Sequence, residues 1–231
     1  MRTFIAIVST LALLLAPVAL AADKYDPWFI DKRELKKTYK RIALAPVEAP
    51  PNLEMPDSAK RAIEAQVQAH LEKRGYTVVP ASVLKGIRER MAEQVGGLRD
   101  AGSGDVDVER VSAVRDHSLR ELWFRNDFDA LAVIRIDVIQ APIENDKAEW
   151  DGTSQKVKKK GGGLKYTASV AASSIAVSIY DVTEQPLFVN YGGLEVLMMR
   201  VKKEFQPLDA SEYFQDEKRI KKAVQIAVKP I

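Results

Sequence analysis

The stretch RIALAPV at residues 41–47, the proline-laden passage that ends at Pro56, and SAKRAIEAQVQAHLEKRGYTVV at residues 58–79 decide the fold of this chain. Ile42, Leu44 and Val47, with the small Ala43 and Ala45, make a short buried strand bounded by proline. Pro50, Pro51 and Pro56 forbid helix until Asp57 or Ser58 caps the next element. From there Ile63, Val67 and Leu71 recur every four residues, one face of a helix over Ser58–Arg74 that Gly75 stops. Tyr76 to Val79 is a second strand, closed by Pro80. Strand, helix and strand in so short a span form a parallel crossover unit, and such units are right-handed.

Working outward, Ser82 to Val95 is a second helix, with Leu84, Ile87, Met91 and Val95 on one stripe and Gly96-Gly97 ending it. Asp105 to Phe124 is a third, turning Val111, Val114, Leu119 and Leu122 inward, with Ser103 or Asp105 as its cap. The period then changes from helical to alternating. Ala130–Ile139, Tyr166–Tyr180 and Leu187–Val201 are strands, the last two joined by a short turn at Asp181–Pro186. Gly192-Gly193 inside the last strand predicts a bulge or bend. Ser211 to Val228 is a final helix before Pro230. The order β α β α α β β β α predicts one α/β (α+β) domain over residues 41–231. Its mixed sheet of about five strands should carry helices on at least one face.

Residues 1–21 have the grammar of an export signal. Arg2 is followed by an apolar run from Ile5 to Leu15, then Pro17, then Ala19-Leu20-Ala21 as a cleavage site. The expectation is cleavage near Ala21 and a periplasmic mature protein. Residues 22–40 form a polar arm with an aromatic knot at Tyr25, Trp28 and Phe29. The chain has 35 Lys plus Arg against 32 Asp plus Glu, a balance that argues against nucleic acid as a partner. Cysteine is absent, which excludes a thiol nucleophile, a cysteine-held metal and a lipidated amino terminus. Beyond Ala21 no apolar run approaches the roughly twenty residues of a spanning helix, so no transmembrane span is expected in the mature chain.

The search for chemistry yields no catalytic, metal or cofactor residues. His70 and His117 lie in helix patterns without a second ligand at helical spacing. Gly102-Ser103-Gly104 lacks the strand-to-helix elbow of a serine nucleophile. The pairs Asp105/Asp107 and Asp127/Asp129 fit a helix start and a turn. The most distinctive internal feature is QKVKKKGGGLKY at residues 155–166, where lysines surround three glycines without the order of a phosphate loop. A cationic loop outside the cytoplasm suits anionic lipid, cell-wall polymer or an acidic protein. The expected contact residues are Trp28 and Phe29 in the arm, Pro50 and Pro51 in the loop, and Lys156, Lys158, Lys159 and Lys160. Self-association into a homo-oligomer stays open. Two other readings stand beside this one: a small-ligand domain with an apolar pocket under Gly192-Gly193, and a hydrolase gathering Glu48, His117 or the Asp127–Asp129 pair.

RIALAPV at 41–47, QVQAHLEKRGYTVV at 66–79, SIAVSIYD at 174–181 and NYGG at 190–193 resemble two groups of bacterial envelope proteins. These are the curli-secretion lipoproteins and the amino-terminal domain of the Tol-system periplasmic protein. The chain departs from the lipoprotein members in lacking the lipobox cysteine. The resemblance implies support of envelope assembly or secretion through protein contacts, with no catalytic residue to carry over.

Overall fold

The computed structural model describes residues 25–157, 168–201 and 204–231. The expected export signal at 1–21 and Lys158, Lys159 and Lys160 lie outside the described residues. Within them, β1 (Arg41–Leu44) and β2 (Thr77–Val79) pair in parallel, joined by α2 (Asp57–Lys73) as the crossover helix. On its other side β1 pairs in parallel with the start of β3 (Ala130–Glu144). β3 runs antiparallel to β6 (Ala168–Asp181) along its whole length, and β6 pairs antiparallel with β7 (Pro186–Val196). The mixed sheet therefore follows from the parallel hydrophobic half and the alternating half that the sequence separates.

Side chains alternate across this sheet and each face finds its own helices. Ile42, Leu44, Ala132 and Ile134 are buried with Ile63, Val67 and Leu71 of α2 and with Ile220, Val224 and Val228 of α5 (Glu217–Val228). On the opposite face Ala43, Ala45 and Val79 are buried with Leu84 and Ile87 of α3 (Ala81–Gln94) and Leu122 of α4 (Val108–Asn126). Both faces are covered, the usual condition for parallel strands.

The sheet has seven strands rather than about five, and a separate two-stranded ribbon accompanies it. The added strands are β4 (Lys147–Trp150) and β5 (Thr153–Lys156). Each is four residues with only alternate positions turned inward, too short to announce itself by pattern. Their turns carry the signal: Asn145-Asp146 and Asp151-Gly152 all have positive φ, the geometry of tight hairpin loops. The expected strand Leu187–Val201 is broken into β7 and β8 (Met198–Val201), and β8 pairs with β9 (Glu204–Pro207) as the ribbon. The last helix starts at Glu217 because Asp216 accepts from the Lys218 and Arg219 amides. α4 is likewise capped by Asp107, which accepts from the Arg110 amide, and not by Ser103 or Asp105.

At the far end of the long strands the β4–β5 hairpin swings over to β7. The Gly193 N–H donates to the Asp151 carbonyl at 3.0 Å and the Val196 N–H to Gln155 Oε1 at 3.1 Å. This rolls the end of the sheet toward a barrel around a second core of Ile143, Trp150, Val157, Val170 and Val196. The Trp150 indole N–H is satisfied there by the Ser173 carbonyl at 3.1 Å.

The glycine pair sits where this hairpin and α5 close on β7 from two directions. A Cβ on Gly192 would lie 2.0 Å from the Ala223 carbonyl oxygen of α5. On Gly193 it would lie 2.7 Å from the Trp150 carbonyl oxygen and 2.8 Å from Thr153 Cβ. The register does slip beside them, between Ser173 and Ser174, so the predicted bulge is present. The glycines themselves serve close approach.

Candidate functional site

α4 crosses the sheet next to α3 and buries Val114, Ser118 and Leu122. Ser118 fits there because its hydroxyl donates to the Val114 carbonyl one turn back. The next row of the helix places Leu119, partly buried against the same core, and Trp123, half exposed, beside the sheet. There α4, the start of β3 and the β6–β7 turn enclose a groove of about 930 Å³. Its apolar lining is Leu119, Phe128, Leu131 and Tyr180, with Trp123 on the helix side and Val182 on the turn side.

The rim exposes apolar surface. Trp123 is 50% exposed and Val182 across the groove 53%, and Phe124, the next residue of α4 and not part of the lining, is 86% exposed. Two adjacent large aromatics left in water on one helix end mark a surface with something to cover it. The walls carry charge: Arg115 and Arg120 on α4, Asp181 and Glu184 on the turn. Arg115 is held by Asp116 at 3.0 Å. The turn wall is stiff, since Asp181 Oδ1 accepts from the Thr183 amide at 2.8 Å, the Thr183 hydroxyl at 2.7 Å and the Gln185 amide at 2.9 Å. Burial pushes the Asp181 carboxyl up, but these hydrogen bonds outweigh it and hold the group below its ordinary value.

The residues expected to make contacts are spread over the molecule and do not line this groove. Trp28 is half-buried within the chain, its ring 4.8 Å from that of Phe188 and beneath the Lys32 ammonium at 5.4 Å. The arm runs along the outer edge of β7, where Phe29 N–H donates to Leu187 O at 3.1 Å and Val189 N–H to Pro27 O at 2.9 Å. Phe29 itself points out, 59% exposed. Pro50 is half-buried and Pro51 exposed at the top of a loop pinned by the buried Leu53 and Met55. Lys156 is exposed at the end of β5.

The hydrolase groups are occupied in separate places. Asp129 accepts from the Lys40 and Arg41 amides at 2.7 and 2.8 Å, fixing the start of β1. Asp127 is the left-handed cap of α4, Glu48 pairs with Arg88 at 3.3 Å, and His117 is exposed on α4. Burial lowers His70. Among the described residues no group of three or more His, Asp or Glu side chains is placed to hold a metal ion, and no helix is long and apolar enough to cross a membrane. Where an apolar pocket was expected under Gly192-Gly193, the backbone of α5 stands against Gly192 and Trp150 and Thr153 stand against Gly193.

The groove itself was not anticipated. Its signal is present in the sequence: Trp123 and Phe124 follow Leu119 and Leu122, which already claim the inward face, and adjacent residues stand about 100° apart on a helix. No protein-family model and no curated protein matches the chain.

Proposed function

We propose that this chain is a non-catalytic interaction or accessory protein of the bacterial periplasm that supports envelope assembly or secretion. Its partner is bound in the groove between α4 and the β6–β7 turn. The carrying observation is the exposure of Trp123 and Phe124 beside that groove. Aromatic and arginine side chains dominate the energetics of protein interfaces, and Trp123, Phe124 and Arg120 stand together here. The occupant is a protein segment with an apolar side chain for the Leu119–Leu131 floor and an acid for Arg120. The export signal supports the compartment, and the resemblance to secretion and Tol-system proteins supports the process. A small-ligand domain is the second reading, favoured by the same volume, which lies within the range of small-molecule sites.

The test is a photo-activatable residue in place of Phe124 in the full chain, cross-linked in cells. The expected product is one adduct with an envelope protein, joined through an acidic and apolar segment. It should be lost when Trp123→Ala or Arg120→Glu is added, by at least the ~30-fold that a 2 kcal/mol anchor represents. Adducts unchanged by both substitutions, or only self-adducts, overturn the groove as the docking surface.

A further inference from the structure

Where β5 passes the first half of α5, a second recess of about 350 Å³ opens, separate from the groove. Thr153, Ser154, Gln155 and Lys156 line it from the strand, Arg219 and Lys222 from the helix, with Gly193 and Leu194 of β7 between them. Three cations thus meet at one small opening. Acids are near as well: Asp216 holds Arg219 Nε at 3.2 Å and caps α5 through the Lys218 and Arg219 amides, Glu195 of β7 also lies within electrostatic reach of Arg219, and Glu149 is the cross-strand partner of Ser154. Lys156 and Lys222 form no ion pair among the described residues.

A second observation concerns neutral groups. Thr153 Oγ1 is buried and meets no hydrogen-bond partner among the described residues. A buried hydroxyl left so costs on the order of 1–3 kcal/mol. Gln155 has its Oε1 occupied by the Val196 amide at 3.1 Å, which leaves its amide nitrogen as the donor. The recess therefore offers ammonium, guanidinium, hydroxyl and amide donors, and of its neighbouring acids Asp216 is engaged by Arg219 and Glu195 by the Phe214 amide.

We propose that this recess is a binding site for a phosphate group. Arg219 is engaged by acids, and the ammonium groups of Lys156 and Lys222, which no ion pair occupies among the described residues, are the charges that meet the −1.5 to −2 of a phosphate monoester near neutral pH. Several oxygens in a tetrahedron can meet donors arriving from a strand and a helix at once, where a carboxylate has only two. Thr153 adds a donor once its side chain turns toward the recess, since its hydroxyl has no partner among the described residues where it stands. The site is made of different residues from the groove, so either can fail without the other.

The experiment titrates the full exported chain with sodium phosphate at constant ionic strength, following backbone amide signals by NMR. Saturable shifts confined to Thr153–Lys156, Gly193 and Arg219–Lys222 are expected. Lys222→Glu should weaken binding at least tenfold and Thr153→Val several-fold, with unchanged circular dichroism as the check on folding. A parallel arm sediments the protein with vesicles of phosphatidic acid, whose headgroup is a phosphate monoester, or of phosphatidylcholine. Retention on the first alone, lost in Lys222→Glu, assigns the phosphate to a lipid headgroup. Saturation without retention assigns it to a soluble or polymer-borne phosphate. Shifts that grow linearly without saturating, or that Lys222→Glu leaves unchanged, overturn the site.

Discussion

Replacing Gly192 with alanine tests how α5 is seated. The added methyl would stand 2.0 Å from the Ala223 carbonyl oxygen and 3.0 Å from the Ala227 amide nitrogen, some 1.4 Å inside the shortest ordinary contact of 3.4 Å. Both obstacles are backbone, so no side chain can rotate away. The helix must lift by more than an ångström, and it is held down by buried Ile220, Val224 and Val228 and by Asn190, whose amide donates to the carbonyls of Ile226 and Ala227 at 3.0 and 2.9 Å. Overpacking a core costs about 1–3 kcal/mol, and a clash against fixed backbone belongs at about 3 kcal/mol. In a domain of this size that lowers Tm by roughly 6–12 °C. Gly86 provides the opposite case, because it lies inside α3 and a Cβ there meets nothing within 4 Å. Gly86→Ala should stabilise by about 0.5–1 kcal/mol. Urea unfolding followed by far-ultraviolet circular dichroism measures both against the parent protein. A Gly192→Ala midpoint within 0.5 kcal/mol of the parent would refute the close approach, and the glycine would then serve only to bend the strand.

Three further outcomes follow from single contacts. Asn190→Ala removes both hydrogen bonds to the end of α5 and should cost about 1–2 kcal/mol, read by urea unfolding and by faster amide exchange in α5. Burial raises the Glu195 carboxyl above its ordinary 4.5, against the pull of the Phe214 N–H at 2.7 Å. A raised carboxyl holds its proton more tightly in the folded state, so its stabilising contribution is fully present below pH 4.5 and is lost as pH rises through the folded value. The stability difference between Glu195→Gln and the parent should therefore change with pH above 4.5, and a difference flat across unfolding midpoints from pH 4.5 to 8 would contradict the burial. Trp28→Ala should loosen the arm, cost about 1–2 kcal/mol through the lost ring contact and burial, and bare the edge of β7. Light scattering should then detect self-association, since uncovered edges pair.

Much of the architecture was legible because one signal recurs with little competition. Ile63, Val67 and Leu71 keep a helical period, and Ile175, Val177 and Ile179 an alternating one, so both halves of the sheet and the helices between them could be read from the chain. The β4–β5 hairpin could not be read that way. KAEW and TSQK carry too few apolar residues for any period, and only the turn residues Asn145-Asp146 and Asp151-Gly152 carry a signal. α1 (Lys32–Thr38) was hidden in a basic run, for its sole buried side chain is Leu35. The aromatic knot is plain in the sequence, yet whether Trp28 faces a partner or its own domain depends on Phe188, 160 residues later in the chain. The groove is non-local in the same way: α4 and the Asp181–Glu184 turn meet only after β3 and β6 have paired.

The separation of the two proposed surfaces has a consequence for how they work together. The groove touches β6 at Tyr180 and Asp181, while Gly193 in the recess pairs with Ser174 of the same strand. The seven residue-to-residue steps of extended strand from Ser174 to Asp181 span about 23 Å, and β6 between them is locked to β3 by an unbroken ladder. Sites so far apart with no shared side chain contribute independently unless an element between them has two arrangements. The continuous pairing of β3 and β6 argues against such an element. Trp123→Ala should therefore leave phosphate affinity unchanged, and Lys222→Glu should leave the Phe124 cross-link unchanged. If either substitution weakened the other site more than twofold, the strand pair would have to be treated as a moving part, and partner binding would be coupled to occupancy of the recess. Additive behaviour would instead describe two attachments held at a fixed spacing, so that a partner and a phosphate-bearing surface are brought to a set distance by the sheet itself.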